Sequence, residues 1–566
     1  MNQQFSHYRT YPAKTSGSIT SVKDPIMSRV MGRRPASIIA WLFSSRDGAR
    51  SCLLARWIFL RGLGLIYFSA FYSLVFQIKG LIGPDGILPA DEYLKALAKL
   101  GAVRFWYAPT LLWFSSSSHA LTAICWIGMI ASVLVVFNIW PRVSLAVCFV
   151  CFLSFVSAAQ DFSGYQSDGM LLEAGFLSLF FAPAGLRPGL GQNSRPIRAG
   201  LFLLRWEWFR IYFESGLVKL ASGETQWRDF TAMDEYYQNG PLPTWIGWYV
   251  QHLPHWFHAF ATGATLGLEL GLVWMLFLPR RWRIACFFVV TLWQIPVILT
   301  ANYTFLNYLV LLLGVLLLDD RFLTRWLPPW MLRQIGVPAP SPTTETDVAP
   351  AQPTQSGVNR PWQAVKLAIT SVILIWIFYA TTVQMFWILV PRAPFPVSPV
   401  IALEPFRIAN RYGLFAVMTR GRYEIEFQGS NDGENWVTYR FRYKPQDPAE
   451  APGIYAPYQP RFEWNLWFAS LGVWRDNMFV VSTEERLLAG NRDVLALFAN
   501  NPFPDVPPKQ VRAVVSEYWF TSLAEKRATG MWWRRKFLGL YAPTLTYMPD
   551  GHAGVVEWPP QPLPRP

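Results

Sequence analysis

Residues 364–390 read AVKLAITSVILIWIFYATTVQMFWILV, 27 residues with a single charge, Lys366, near the start. At 1.5 Å per residue a helix of that length exceeds the roughly 30 Å of hydrocarbon in a bilayer. No water is available there to satisfy loose backbone groups, so the stretch is expected to cross as a helix. It also divides the chain. Upstream lie further apolar runs, and downstream, from Pro391, polar and apolar residues are mixed.

Working upstream, apolar runs recur at about 57–77, 120–138, 143–159, 169–183, 200–220, 257–278, 284–300 and 303–318. With 364–390 they make about nine expected spans. Lys and Arg test the count. With the N-terminus inside, the segments before and between spans on that side carry nine, one, three, three and four Lys/Arg, against four, none, one and none outside. That asymmetry follows the positive-inside rule and puts the C-terminal domain outside. The fourth run is short and the fifth holds five charges, so either could be partly re-entrant.

Composition agrees. Charged residues are 15% of the 566, hydrophobic residues 52%, and Trp numbers 28, whereas soluble domains are about 25% charged. The net charge of +14 is not a nucleic-acid footprint. Nine Lys/Arg lie at or before Arg56, most of the remaining excess sits in short loops, and the region from Pro391 is nearly balanced at 20 basic to 17 acidic. No basic face interleaved with aromatics appears, so no nucleic-acid partner is expected. The expected organisation is a largely disordered cytoplasmic tail (1–50), a membrane bundle (51–320), a Pro/Ser/Thr-rich cytoplasmic linker (321–362, with PAPSPTTETDVAPAQPTQSG), a final span (363–391) and an outer domain (392–566). No cleavable signal peptide is visible in the polar start.

In the outer region, 422–428 (RYEIEFQ) and 436–443 (WVTYRFRY) alternate with period two around GSNDGEN, whose Asp432–Gly433 is a turn signal. Residues 511–520 look like a further strand and 487–499 like a helix. The expectation is a membrane α-helical bundle followed by a C-terminal β-rich, sandwich-like extramembrane domain.

A charge at the centre of a span costs about 2.5–3.5 kcal/mol on insertion scales, so each one needs an account. The candidates are Arg61, Glu173, Arg205, Glu207, Arg210, Glu214, Lys219 and Glu269. Glu207, Arg210 and Glu214 are spaced i, i+3, i+7 and share one helix face, with Arg205 nearly opposite. Two readings stand: structural pairing, among themselves or with Glu173 and Glu269, or a polar cavity for a ligand or proton chemistry.

Other candidates carry less. His252, His255 and His258 recur every three residues, but Pro254 interrupts a helix joining them and no Cys or carboxylate completes a metal set. The five cysteines, Cys52, Cys125, Cys148, Cys151 and Cys286, lie in or beside apolar runs, and CFVC reads as packing rather than thiol exchange. The sequon at Asn302 hugs a span and reads as loop sequence. There is no nucleophile elbow, phosphate loop or dinucleotide fingerprint. No catalytic residue, metal site or cofactor is assigned.

Several stretches occur together and in order: RGLGLI (61–66), GPDGILP (83–89), QDF (160–162), DGMLLEAGF (168–176), SGLVKLASGETQWRD (215–229) and NYTFLN (302–307). Beyond the last span come FRIANRYGLFAVMT (406–419), GSNDGENW (429–436), YKPQD (443–447), QPRFEWNLWFASLG (459–472) and NPFPDVPPK (501–509). With these, residues 50–545 or so resemble the lipase maturation factor family. The membrane half is also distantly similar to the vitamin-K-dependent carboxylase type of bundle. The motif residues singled out are Asp161, Asp168, Trp227, Arg228 and Asp229 in the outer loops. In the outer domain they are Asn410, Arg411, Tyr412, Gly413, Lys444, Pro445, Trp464 and Trp467.

The resemblance implies a membrane-anchored maturation factor or chaperone, more a helper than an enzyme. Its partners would be the lipid bilayer and a secreted client, a lipase by resemblance. The outer domain would be lumenal in the endoplasmic reticulum or, in a bacterium, periplasmic. The alternative is a membrane-embedded enzyme using the polar cavity on a lipid or a modified side chain. A transporter fits the charges but not the large outer domain.

Overall fold

The computed structural model describes residues 35–45, 48–49, 51–328, 330, 360–549 and 551–560. Residues 1–34, most of the expected tail, and 331–359, most of the expected linker, lie outside the described residues. Within the stretch expected as tail, Pro35–Phe43 (PASIIAWLF) is a helix, α1, packed on the bundle, with Arg198 stacked over Trp41 at 4.6 Å. Its apolar run is too short to span but long enough to bury one face.

A helical segment stands at each place where a span was expected. These are α2 (Leu53–Val75), α3 (Ser118–Val136), α4 (Pro141–Val156), α5 (Gln166–Phe181), α6 (Arg198–Ala221) and α7 (His255–Leu266). α7 continues through a π turn (Gly267–Gly271) and a 3-10 stretch to Phe277. α8 (Arg280–Val289), α9 (Gln294–Thr300), α10 (Leu306–Val315) and α11 (Arg360–Leu389) complete the set. Among the described residues, five segments are long and apolar enough to cross a membrane: Leu53–Val75, Ser118–Val136, His255–Phe277, Arg280–Thr300 and Pro361–Leu389. α4 and α10 are apolar but shorter. Length and composition therefore do not establish the count of about nine.

The bundle packs tightly. A Cβ on Gly64 of α2 would lie 2.9 Å from the carbonyl of Ser132 on α3, and one on Gly128 would overlap the ring of Phe71. Small residues of this kind let helices approach without a gap.

The loops sort by side. The C-terminal domain touches each of the four loops expected outside. In the first, a Cβ on Gly80 would overlap the Asp493 carbonyl, and just before it Arg461 N–H donates to Gln77 Oε1 (2.8 Å); in the next two, Gly413 N–H donates to Gln166 Oε1 (2.8 Å) and Trp227 Nε1–H to the Phe415 carbonyl (2.9 Å). Asn302 Oδ1 accepts from the N–H of Tyr455 (2.7 Å) and Ala456 (3.0 Å). Asn302 is 2% exposed and bonded at both ends of its amide, so the sequon is packing, not a free acceptor. Loops expected inside gather separately. Asp320 caps α2 through the N–H of Leu53 and Leu54 (2.8 and 2.9 Å), Arg280 pairs with Asp319, and Arg56 donates to the carbonyls of Leu190 (2.6 Å) and Ser194 (2.7 Å).

After α11 comes one antiparallel sheet, in place of the expected sandwich. Its strands are β1 (Arg422–Ser430), β2 (Val437–Thr438), β3 (Gln510–Phe520), β4 (Trp533–Leu540), β5 (Thr544–Tyr547) and β6 (Ala553–Glu557). Their order is β2-β1-β3-β5-β6, with β4 also on β3. Helices α12 (Arg461–Ser470) and α13 (Phe479–Leu488) pack on it where a second sheet would lie. The strand expected over 436–443 pairs at Val437–Thr438, with the Tyr439 N–H still donating to the Phe427 carbonyl (2.9 Å), and then leaves the sheet: the N–H of Arg440 goes to Asn500 (3.0 Å), that of Phe441 to Gln446 (2.8 Å), and those of Arg442, Tyr443 and Lys444 to Glu463 (3.0, 2.9 and 2.6 Å). The helix expected at 487–499 is α13, earlier in the chain, and it ends before Gly490 at φ +63°. A short turn, Arg492–Leu495, follows.

Candidate functional site

The charges in the bundle divide into separate arrangements. Glu207, Arg210 and Glu214 share one buried face of α6, as their spacing requires, but they do not pair with one another. Arg210 forms its ion pair with Glu173 of α5. Both then meet the segment that enters the outer domain. Arg210 Nη1–H donates to the Asn410 carbonyl (2.6 Å), and Glu173 Oε2 accepts the Asn410 N–H (2.9 Å) and side-chain amide (3.2 Å). Two residues on, the Tyr412 N–H donates to Glu214 Oε2 at 2.7 Å. Glu207 forms no ion pair among the described residues.

The motif residues 410–413 thus act as a plug. Asn410 presents both a carbonyl and an N–H, which match a guanidinium and a carboxylate that already face each other. The fit is close: a Cβ on Gly169 would lie 2.8 Å from Asn410 Oδ1, and one on Gly413 2.8 Å from Val218 Cγ1. Glu173 is in the second and third turns of α5 from its N-terminus, and Glu214 in the last two turns of α6. Both helix ends face the outer domain, which brings hydrogen-bonding backbone to charges that lipid could not satisfy.

A second arrangement lies nearer the end of α6. Lys219 Nζ reaches both oxygens of Glu269 at 2.6 and 2.7 Å, Ser215 Oγ at 3.0 Å, and the face of Trp227 at 4.6 Å. Glu269 sits on the π turn, and Gly216 of α6 admits that turn: a Cβ there would lie 3.0 Å from Glu269 Cβ. The pair borders a cavity of about 210 Å³ that also meets Tyr236, Tyr303 and Asn307. The last two charges bond backbone carbonyls: Arg205 at the C-terminal end of α10, Arg61 within its own helix. Arg205 donates to the Leu316 carbonyl (2.8 Å), and Arg61 to the Trp57 carbonyl (2.8 Å) while lying 3.4 Å over the Trp57 ring.

The remaining motif residues hold the halves together. Asp168 receives Arg461 of α12 in a two-toothed ion pair (2.6 and 2.8 Å), with both side chains fully buried. Arg461 also donates to the Phe162 carbonyl at 2.9 Å. Arg461 lay in a quoted motif but was not singled out; an Arg beside three aromatics reads as an ordinary amphipathic helix start. Lys444 pairs with Glu424 (2.6 Å), which also pairs with Arg422. Arg422 donates to the carbonyls of Gln238 (2.9 Å) and Pro241 (3.1 Å), and burial holds its guanidinium below the usual range. Burial likewise pushes Glu463 up to about 7, despite its three N–H partners.

Trp467 Nε1–H donates to the Asn239 carbonyl (3.1 Å) and Arg228 to the Leu220 carbonyl (2.8 Å). Asp161, Asp229 and Arg411 are exposed and Pro445 is half-buried. His252 bonds two carbonyls, His255 faces Asp234 and His258 meets the Leu253 carbonyl; among the described residues no group of His, Cys, Asp and Glu gathers with metal-ligand geometry. The five cysteines are buried and unpaired.

A family model described as the lipase maturation factor transmembrane domain matches residues 54–325, and one described as the lipase maturation factor C-terminal domain matches 408–543. Lipase maturation factor 2 of Gallus gallus is 33% identical over 87% of this chain and 81% of its own. The chain belongs to the lipase maturation factor family. Lipase maturation factor 1 of Bos taurus is 32% identical over 94% of this chain and 95% of its own, and lipase maturation factor 2 of Homo sapiens 31% over 87% and 83%. No solved structure matches. The family's two matched regions meet at the plug: the C-terminal match starts at 408, two residues before Asn410 engages Glu173 and Arg210 of the transmembrane match.

Proposed function

We propose that this chain is a membrane-anchored maturation factor that helps secreted client proteins, lipases first among them, to fold and assemble. The observation that carries the reading is the closure of the charged cluster. Glu173, Arg210 and Glu214 are at most 1% exposed and are covered by residues 410–412. A catalytic or transport cavity would need these charges open to a substrate, whereas a scaffold needs them matched. The test is co-expression with a secreted lipase. Deleting this gene is expected to lower secreted lipase activity several-fold at unchanged lipase synthesis, and restoring it to recover that activity. Unchanged activity in the deletion strain defeats the proposal.

The outer domain is proposed to lie in the periplasm, or in the lumen of the endoplasmic reticulum, with nine crossings and a cytoplasmic N-terminus. Support comes from the Lys/Arg asymmetry and from the outer domain touching every loop expected on its side. A Cys at Glu434, in the exposed turn after β1, should label with a membrane-impermeant maleimide from outside. A Cys at Thr344 should label only after the membrane is opened. Labelling of both from one side rejects the nine-crossing arrangement.

Maturation is proposed to need no thiol chemistry from this chain, since all five cysteines are buried and none lies in the outer domain. Replacing all five by Ala or Ser should keep client activity within about twofold at equal protein level, with packing losses of about 1 kcal/mol per site. Loss of activity at normal level rejects this.

A further inference from the structure

On the side of the outer domain, a cavity of about 610 Å³ opens beside the end of α11, within the range of about 300–1,000 Å³ usual for small-ligand sites. It borders the plug without entering it: Arg411 reaches it, as do Gln384 in the last two turns of α11 and Gln160 before α5. Its charged lining is Glu404, Arg407 and Arg411, all exposed, an excess of one positive charge.

Two guanidiniums here have nothing to hold. Other arginines of the seam are engaged: Arg210 with Glu173, Arg461 with Asp168 and Arg422 with Glu424. Neither Arg407 nor Arg411 makes a side-chain hydrogen bond or ion pair among the described residues. Arg411 lies between Asn410 and Tyr412, whose N–H groups go to Glu173 and Glu214, and its own side chain is exposed. Arg407 ends the 3-10 turn Glu404–Phe406 in the left-handed region, at φ +52°, where glycine is the residue expected. Gln160, also in the lining, is left-handed at φ +48°. Such strained positions gather where a side chain is needed in place.

The surroundings point to a lipid surface. Phe105, Trp106 and Tyr107 are each about half exposed and Phe114 is 89% exposed, all in the loop between α2 and α3. Trp106 stands edge-on to Phe406 at 4.8 Å, and Tyr107 is itself part of the lining. Exposed aromatics beside the ends of spans sit at the level of the lipid headgroups. A guanidinium at that level matches a phosphate, whose oxygens accept two parallel N–H bonds from its fork.

We infer that this cavity holds the phosphate of a membrane lipid, with Arg407 and Arg411 on its oxygens and the exposed aromatics of the neighbouring loop against the rest of the molecule. Full-length protein in a maltoside detergent is incubated with equal amounts of phosphatidylglycerol and of diacylglycerol with the same chains. Bound lipid is counted by native mass spectrometry. Phosphatidylglycerol should be retained about tenfold over diacylglycerol or more, the effect of one charge-assisted hydrogen bond. Arg407→Gln with Arg411→Gln should bring the two lipids level at an unchanged melting temperature, since neither side chain bonds the protein. Arg407→Lys with Arg411→Lys should keep part of the preference, and Glu404→Gln, which removes the one carboxylate of the lining, should raise it. No preference in the native protein, or one that survives in the double Gln variant, overturns the inference and leaves two solvated arginines. Inorganic phosphate separates the sources of the group. If it raises the melting temperature of the native protein but not of the double Gln variant, and neither lipid is preferred, the site takes a soluble phosphate and the lipid is rejected.

Discussion

Arg210→Met is expected to cut the yield of monodisperse, detergent-extracted protein by about tenfold or more. Breaking a buried ion pair by removing one partner costs about 3–5 kcal/mol, because the other charge stays where water cannot reach it. Here the stranded group is Glu173, with the Asn410 carbonyl losing its donor as well. Glu173 retains the N–H and amide of Asn410, which holds the cost nearer the lower end of that range. The compensating change follows from the pairing. Since Glu173, on another helix, is the partner, Glu173→Gln with Arg210→Met should restore much of the yield. Neutralising Glu207 and Glu214, the neighbours on the same face, should not. Size-exclusion profiles and melting temperatures of the three variants decide it. Normal yield for Arg210→Met would show that the pair contributes little. A well-folded but inactive Glu173→Gln, Arg210→Met variant would show that the cluster works on a client or ligand and does not simply hold the fold.

The sequence made the helical places legible because bilayer crossing leaves a coarse signal, about 20 uncharged residues repeated through the chain. Charge bias sorted the loops into two groups, and the loops that meet the outer domain all belong to one of them. The outer domain was harder. Strands were legible at β1 and β3, but at 436–443 the period-two pattern produced two paired residues, because Asn500, Gln446 and Glu463 in turn take the N–H groups a neighbouring strand would need. Only tertiary structure supplies those competitors. The sharing of a face by Glu207, Arg210 and Glu214 was correctly read from spacing. Glu173, 37 residues away, stood among the possible partners, but spacing could not choose it over pairing along the face, and the 410–412 backbone, some 200 residues away, was not among them. Periodicity describes one element at a time and cannot name what faces it.

The same limit hid the contact expected to matter as much as Arg210. Arg461→Met should destabilise the protein by about 3–5 kcal/mol, since it leaves Asp168 fully buried without the two-toothed partner at 2.6 and 2.8 Å. Asp168→Asn should cost less. Its remaining carbonyl oxygen can still accept from the guanidinium, which also keeps the Phe162 carbonyl at 2.9 Å. The order of the two variants is therefore a test of the geometry, and a double-mutant cycle should return a coupling of about 1–3 kcal/mol. Because the pair bridges α5 and α12, the damage should appear first as a loosened seam. Limited proteolysis is expected to cut between 391 and 420 in Arg461→Met at protease levels that spare the native protein, while the bundle remains intact. Equal protection of the two would reject a locking role.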